Sequence, residues 1–220
     1  MKKKYVVLWM SITLLLFSSP VYSQVKLGIN LGPNFANRSI TSNISFDEYL
    51  WEIEGKAHFF GGILAEFKIN DMFYIQPEVN FLPKGVISKG RFIASSKYTP
   101  DNKLDNISNY FEIPINVLAK FNVSNFTPFI FAGPSLSFLS EAKAIDDSGY
   151  EYDISEFYKK FDFSINFGGG IELSLAKNID IFLMARYSLG LTNIFKEENY
   201  AEFEYKTIGT AIAVGLKFSI

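Results

Sequence analysis

The sequence predicts an all-β fold: a transmembrane antiparallel up-and-down β-barrel of about eight strands, with short periplasmic turns and long extracellular loops. Three observations carry this expectation. Repeated stretches alternate apolar and polar residues in strict step, their connections alternate long and short, and the chain opens like an export signal. The clearest alternation is Phe73-Tyr74-Ile75-Gln76-Pro77-Glu78-Val79-Asn80-Phe81, whose odd positions are apolar and whose even positions can hydrogen-bond. A strand turns successive side chains to opposite faces, so such a segment has one apolar and one polar face. A soluble sandwich would bury the apolar faces inside, whereas an exported barrel presents them to lipid and turns the polar faces to the lumen.

Residues 1–23 read as a signal peptide, with Lys2, Lys3 and Lys4 as the basic region, Tyr5 to Phe17 as the apolar core and cleavage after Ser23. The apolar core is short for a spanning helix. Residues 24–220 then form a single outer-membrane barrel domain. The sequence has no Cys, which removes disulfides and an N-terminal lipidated Cys. Three of the 21 basic residues fall in the signal, leaving 18 against 23 acidic ones. That balance argues against nucleic acid as a partner. The 23 Phe and 12 Tyr suit aromatic girdles at two lipid–water boundaries.

The strands follow in order. Strand one, Val25–Ala36, sets Leu27, Ile29 and Leu31 against Lys26, Gly28, Asn30 and Gly32. A long polar segment leads to strand two, Ala57–Ile69, with Phe59, Ile63, Ala65 and Phe67 outward and Glu66 and Lys68 inward. Asn70-Asp71 is a tight turn, because both residues tolerate left-handed backbone. Strand three, Met72–Ile87, precedes a second long segment, Ser88–Ile107, and strand four, Asn109–Phe121. A short turn at Asn122–Asn125 gives strand five, Phe126–Leu139, and then the acidic, Tyr-bearing segment Ser140–Lys159. Strand six, Lys160–Leu175, strand seven, Ile179–Thr192, and strand eight, Thr207–Ile220, complete the even number. Every long connection falls at one end, which a sandwich gives no reason to expect. The terminal Gly215-Leu216-Lys217-Phe218-Ser219-Ile220 is similar to the signal read by barrel-assembly machinery, with Ala213 departing from the usual polar residue.

Several stretches carry a family resemblance. They are Tyr74–Gly85 (YIQPEVNFLPKG), Tyr110–Ile115 (YFEIPI), Pro128–Pro134 (PFIFAGP), Phe161–Phe163 and Ala185–Asn193 (ARYSLGLTN). In these the chain resembles the PorT-like outer-membrane β-barrel proteins typical of Bacteroidota, over essentially residues 24–220. The resemblance implies a small barrel in the outer membrane and, through the family's namesake, a tie to type IX protein secretion.

A barrel of about eight strands is just wide enough for its own side chains, so a wide pore is not expected. Glu78, Glu172 and Arg186 are expected at one mid-barrel height, with Arg186 bridging both carboxylates and Glu112 higher up, because an unpaired buried ion is costly. Gly168-Gly169-Gly170 lacks the Lys-Ser/Thr of a phosphate loop and is expected to relieve crowding inside the barrel. His58 is the sole histidine, and a lipid-modifying enzyme would have to use it, with Ser42 or Ser45 as a partner in principle. No spacing ties an acid and a Ser to it, so the expected function is non-enzymatic: a structural or accessory barrel in type IX secretion or surface assembly. A narrow channel or ligand-binding barrel is the other alternative. No cofactor is indicated; one His and no Cys exclude the usual zinc sets. Asp146–Asp153 could gather carboxylates for calcium, although its spacing departs from an EF-hand loop. Trp51, Tyr150, Tyr152 and Tyr158, with Phe157, are the candidate contact residues of the outer loops. The expected partners are outer-membrane lipid, barrel-assembly machinery during insertion and secretion-machine proteins.

Overall fold

Period-two patterning gives period-two structure. The computed structural model describes residues 25–42, 51–90, 102–123, 126–196 and 203–220. Its strands are β1 (Val25–Ser42), β2 (Trp51–Lys68), β3 (Phe73–Gly90), β4 (Asn102–Lys120), β5 (Thr127–Ile145), β6 (Glu151–Asp153), β7 (Phe161–Ala176), β8 (Ile179–Gly190) and β9 (Phe203–Ser219). A 3-10 turn, Ser155–Phe157, follows β6. The segment expected as a signal peptide lies outside the described residues.

The eight long strands pair antiparallel with their neighbours, and β9 pairs with β1 to close the ring. Closure leaves none of the eight with an unpaired edge. Short β6 pairs only with β5, at Lys143–Ile145. The register can be followed from Val25 through Phe67, Ile75, Val117, Ala132, Phe167, Tyr187 and Thr210, and it returns to β1 at Phe35. That offset of ten residues from Val25 to Phe35 is the stagger of the barrel. With ~3.3 Å of rise per residue and ~4.8 Å between strands, it tilts the strands by about 40°.

Outward positions are apolar and exposed, among them Leu27, Ile29, Leu31, Ile63, Val79, Ile115, Phe167 and Leu183. Inward positions are buried and mostly polar, among them Asn30, Glu66, Glu78, Asn80, Glu112, Asn116, Asp162, Asn166 and Arg186. The fold is inside-out relative to a soluble sandwich. From Phe73 to Phe81 the outward positions of β3 are all apolar, a belt about 20 Å tall at the tilt above.

The two ends of the barrel differ. At the turn end Asn70 Oδ1 accepts from the backbone N–H of Met72 (2.9 Å) and of Phe73 (2.8 Å), which fixes the β2–β3 turn. At the loop end the strands run further than the alternation predicts. Residues expected in long loops belong to the upper parts of β1 to β5 and β9, which reach Ser42, Trp51, Gly90, Asn102, Ile145 and Phe203. Above the apolar belt the outer face no longer needs apolar side chains, so the sequence signal fades while the backbone ladder continues.

Candidate functional site

The chemistry-bearing side chains face the lumen and stack in layers. Nearest the turn end, three ammonium groups meet three carboxylates. Glu172 lies 2.8 Å from Lys26, 2.8 Å from Lys120 and 2.9 Å from Lys217. Glu66 takes Lys120 at 2.6 Å and Lys217 at 2.5 Å, and Asp180 takes Lys26 at 2.6 Å. The Lys217 ammonium also lies over the rings of Phe182 and Phe129, 4.8 and 5.5 Å from their centroids. Charges balance here, as burial of ions demands.

One layer up, Arg186 Nη2 donates to Glu78 Oε2 at 2.5 Å, and its Nη1 lies 3.6 Å from Glu112 Oε2. Glu78 also accepts from Gln76 (2.8 Å), Asn80 (2.9 Å), Asn116 (3.0 Å) and Asn30 (3.4 Å). Glu112 Oε1 accepts from Ser135 Oγ (2.9 Å) and Asn166 Nδ2 (3.3 Å). Higher still, Lys84 Nζ donates to Asp162 at 3.0 Å, and Asp162 also accepts from Thr192 and Thr207, each at 2.8 Å.

An aromatic cap closes the loop end. Tyr158, Phe195 and Tyr205 stack in series, with centroids 4.5 and 4.9 Å apart. Arg38 Nη2 donates to the Tyr158 hydroxyl at 2.6 Å, and its guanidinium lies over the rings of Tyr158 and Phe195. Backbone bonds from Lys159 N–H to the Ile194 carbonyl and from Lys196 N–H to the Phe157 carbonyl hold residues 154–160 to residues 191–196. Beside the cap the wall is low, because β7 starts at Phe161 and β8 ends at Gly190. The cap sits where the taller strands lack a counterpart.

This arrangement corrects two expectations. Arg186 does pair with Glu78, but its second carboxylate is Glu112 and not Glu172. Glu172 stands closer to the turn end, where β7 residues pair with the start of β5, and the lysines take it. Sequence spacing gave inward faces but could not give the register that sets relative height. Tyr158 is 1% exposed, so it is a cap residue and not an outward contact. Tyr150 and Tyr152 are exposed and pack edge-to-face, centroids 4.8 Å apart. Trp51 opens β2, and its side chain lies outside the described residues.

Lys26, Lys217, Asp180 and Arg38 were missing from the expected network. Each sits on an inward position; three of them lie within the strands read from the sequence, and only Arg38 lies beyond the expected end of strand one. Two of the three glycines of β7 give room for rings: a Cβ on Gly168 would fall 2.7 Å from Phe131, and one on Gly170 would fall 2.6 Å from Phe129. His58 stands over Gly85, where an added Cβ would lie 2.2 Å from Nε2. That nitrogen is buried without a hydrogen-bond partner among the described residues. Ser45 lies outside the described residues, as does the side chain of Ser42.

In the hairpin between β5 and β6, Asp146 accepts from the N–H and hydroxyl of Ser148, the N–H of Tyr150 and the hydroxyl of Tyr152. The Ser148 hydroxyl bond, aided by the Tyr150 backbone, holds its carboxyl below the ordinary value. Its lone pairs serve the loop itself.

Residues 17–196 match the family described as outer membrane protein beta-barrel domain. The chain belongs to that family. The closing strand β9 lies beyond the matched segment and completes the ring. Comparison with curated proteins gave no match. Among solved structures, the Neisserial surface protein A is similar at 15% identity, with 89% of this chain and 97% of that one covered and a TM-score of 0.49. Ail, the attachment invasion locus protein of Yersinia pestis, has 13% identity, 89% and 99% coverage and a TM-score of 0.43. The outer membrane protease OmpT from Escherichia coli has 7% identity, 90% and 97% coverage and a TM-score of 0.42. As a member of this outer-membrane barrel family, the protein carries its belt of apolar side chains where the family meets lipid.

Proposed function

We propose that this outer-membrane barrel is non-enzymatic and serves a structural or accessory role in type IX protein secretion or surface assembly. The observation that carries the reading is the filled lumen. Ion pairs at the turn end, an Arg–Glu–amide layer in the middle and an aromatic cap at the loop end leave the outer surfaces to do the work. A lipid-modifying enzyme here would use His58 as a base toward a nucleophile or substrate. The buried Nε2 of His58 instead faces Gly85.

In this reading the signal peptide is removed after Ser23, and barrel-assembly machinery inserts the chain with its turn end and both termini in the periplasm. The tall loop-end wall, with the Tyr150–Tyr152 pair at its rim, then faces outward as the contact surface. Its ion pairs, such as Lys143 with Glu141 and Glu151, are exposed and contribute little stability.

A pull-down of the tagged barrel from mildly solubilised outer membranes tests the role. Recovery of secretion-machine proteins, lost when residues 147–153 are deleted, is the expected result. A barrel recovered alone, with lipid composition altered in a His58→Ala strain, would replace the accessory role with lipid modification.

A further inference from the structure

The ring of eight strands has no edge, but β6 does. It stands last in the strand order and, among the described residues, pairs with β5 alone. The Asp146 N–H donates to the Tyr150 carbonyl, and the Ile154 N–H donates to the Ala142 carbonyl. Bonding positions alternate along an antiparallel strand, so residues 150, 152 and 154 turn their backbone groups toward β5. The backbone N–H and carbonyl groups of Glu151 and Asp153 therefore point off the sheet. All three β6 residues are exposed.

The hairpin that carries this edge is held from both sides. Gly149 turns the chain at a φ of 82°, Asp146 gathers the turn, and Ser155 Oγ accepts from the Ala142 N–H at 2.8 Å. An ordered, exposed and unpaired edge is a template for another strand. Its two faces differ in chemistry. Asp153 is the cross-strand partner of Lys143, and Glu151 is bridged to that lysine, so both carboxylates share its face. Tyr152 stands on the opposite face, with Tyr150 packed against it. Residues 141–156 hold Glu141, Asp146, Asp147, Glu151, Asp153 and Glu156 against Lys143 alone. A second copy of the edge would oppose like charges, which destabilises paired strands, whereas a basic strand reverses the sign.

We propose that the free edge of β6 takes up an extended segment of a partner protein whose side chains alternate basic and apolar. The segment's backbone pairs with Glu151 and Asp153, and its basic side chains lie beside those carboxylates. Its apolar side chains cover Tyr150 and Tyr152. The inference rests on the reading of the loop end as the contact surface and gives that surface a partner chemistry. Three residues of edge supply few backbone bonds, so the charges carry much of the affinity and salt weakens it.

The test is titration of the purified barrel in detergent at low salt with a fluorescent, end-blocked peptide, Lys-Val-Lys-Phe-Lys-Val-Lys, read by anisotropy. Binding should be saturable and should slow hydrogen exchange at the Glu151 and Asp153 amides. Glu151→Gln removes the charge and keeps the outward N–H, while Glu151→Pro removes both and still suits an edge strand. The Pro variant should bind about fivefold more weakly than the Gln variant, the worth of one hydrogen bond. No binding, unprotected Glu151 and Asp153 amides, or equal affinity of the two variants would overturn the strand pairing; the last two would leave only charge attraction to an acidic loop. If any of these occurs while deletion of residues 147–153 still releases secretion-machine proteins, the accessory role stands and the strand edge falls. Peptide binding with protected amides in a barrel recovered alone keeps the edge and removes the secretion role.

Discussion

Replacing Arg186 with Met tests the mid-lumen layer most sharply. The substitution keeps the stem and removes the guanidinium, leaving Glu78 buried without its 2.5 Å partner and Glu112 without its neighbour at 3.6 Å. Removing one member of a buried pair costs about 3–5 kcal/mol. Glu78 retains amide donors from Asn30, Gln76, Asn80 and Asn116, which places the cost near the lower figure. At about 2–4 °C per kcal/mol for a chain of this size, the melting temperature should fall by about 6–12 °C. Circular dichroism in detergent, with the gel shift between folded and heated barrel as a second readout, measures it. Adding Glu78→Gln to the same chain should return part of the loss, because one stranded charge is gone. Unchanged melting in Arg186→Met, or a double variant weaker than the sum of its single changes, would refute the pairing.

Other outcomes follow from the same geometry. Leu183 points outward within the apolar belt, so Leu183→Arg should destabilise the barrel in lipid by about 2–4 kcal/mol, while Phe73→Arg, outward at the turn-end edge of the belt, should cost under half as much; equal costs in a urea titration would misplace the belt. A Cβ at Gly62 would lie 2.0 Å from Asn80 Oδ1 and 2.4 Å from the Val79 carbonyl, so Gly62→Ala should cost at least about 1–3 kcal/mol; a neutral result by the same titration would contradict the close β2–β3 approach. The Asp146 carboxyl titrates below its ordinary 3.8, so its loop bonds are in place above that value and are lost as pH falls through the lower folded one. The amide resonances of Ser148 and Tyr150 should report that midpoint, and a midpoint at or above 3.8 would remove Asp146 as the organiser of the hairpin.

The alternation of β3 and β7 made the fold legible, because a wall with lipid on one side and packed polar side chains on the other enforces period two. The same rule puts Glu78, Glu112, Glu172 and Arg186 on inward positions, and all four side chains are buried. It could not say which of them meet. Contacts across the lumen depend on the ten-residue stagger between Val25 and Phe35, a property of all the pairings together. The rule also fell silent above the belt, so Trp51 and Tyr158 were read as loop residues. One begins β2, and the other packs under Arg38 in the cap. Short β6 left no signal at all, since three exposed residues cannot show a period.

Electrical recording from the purified barrel in a planar lipid bilayer tests the filled lumen most directly. The paired charges and the aromatic cap predict no steady conductance in wild type. A stable open level in wild type, altered in size by Arg186→Met, would show an ion path through the layer described as closed.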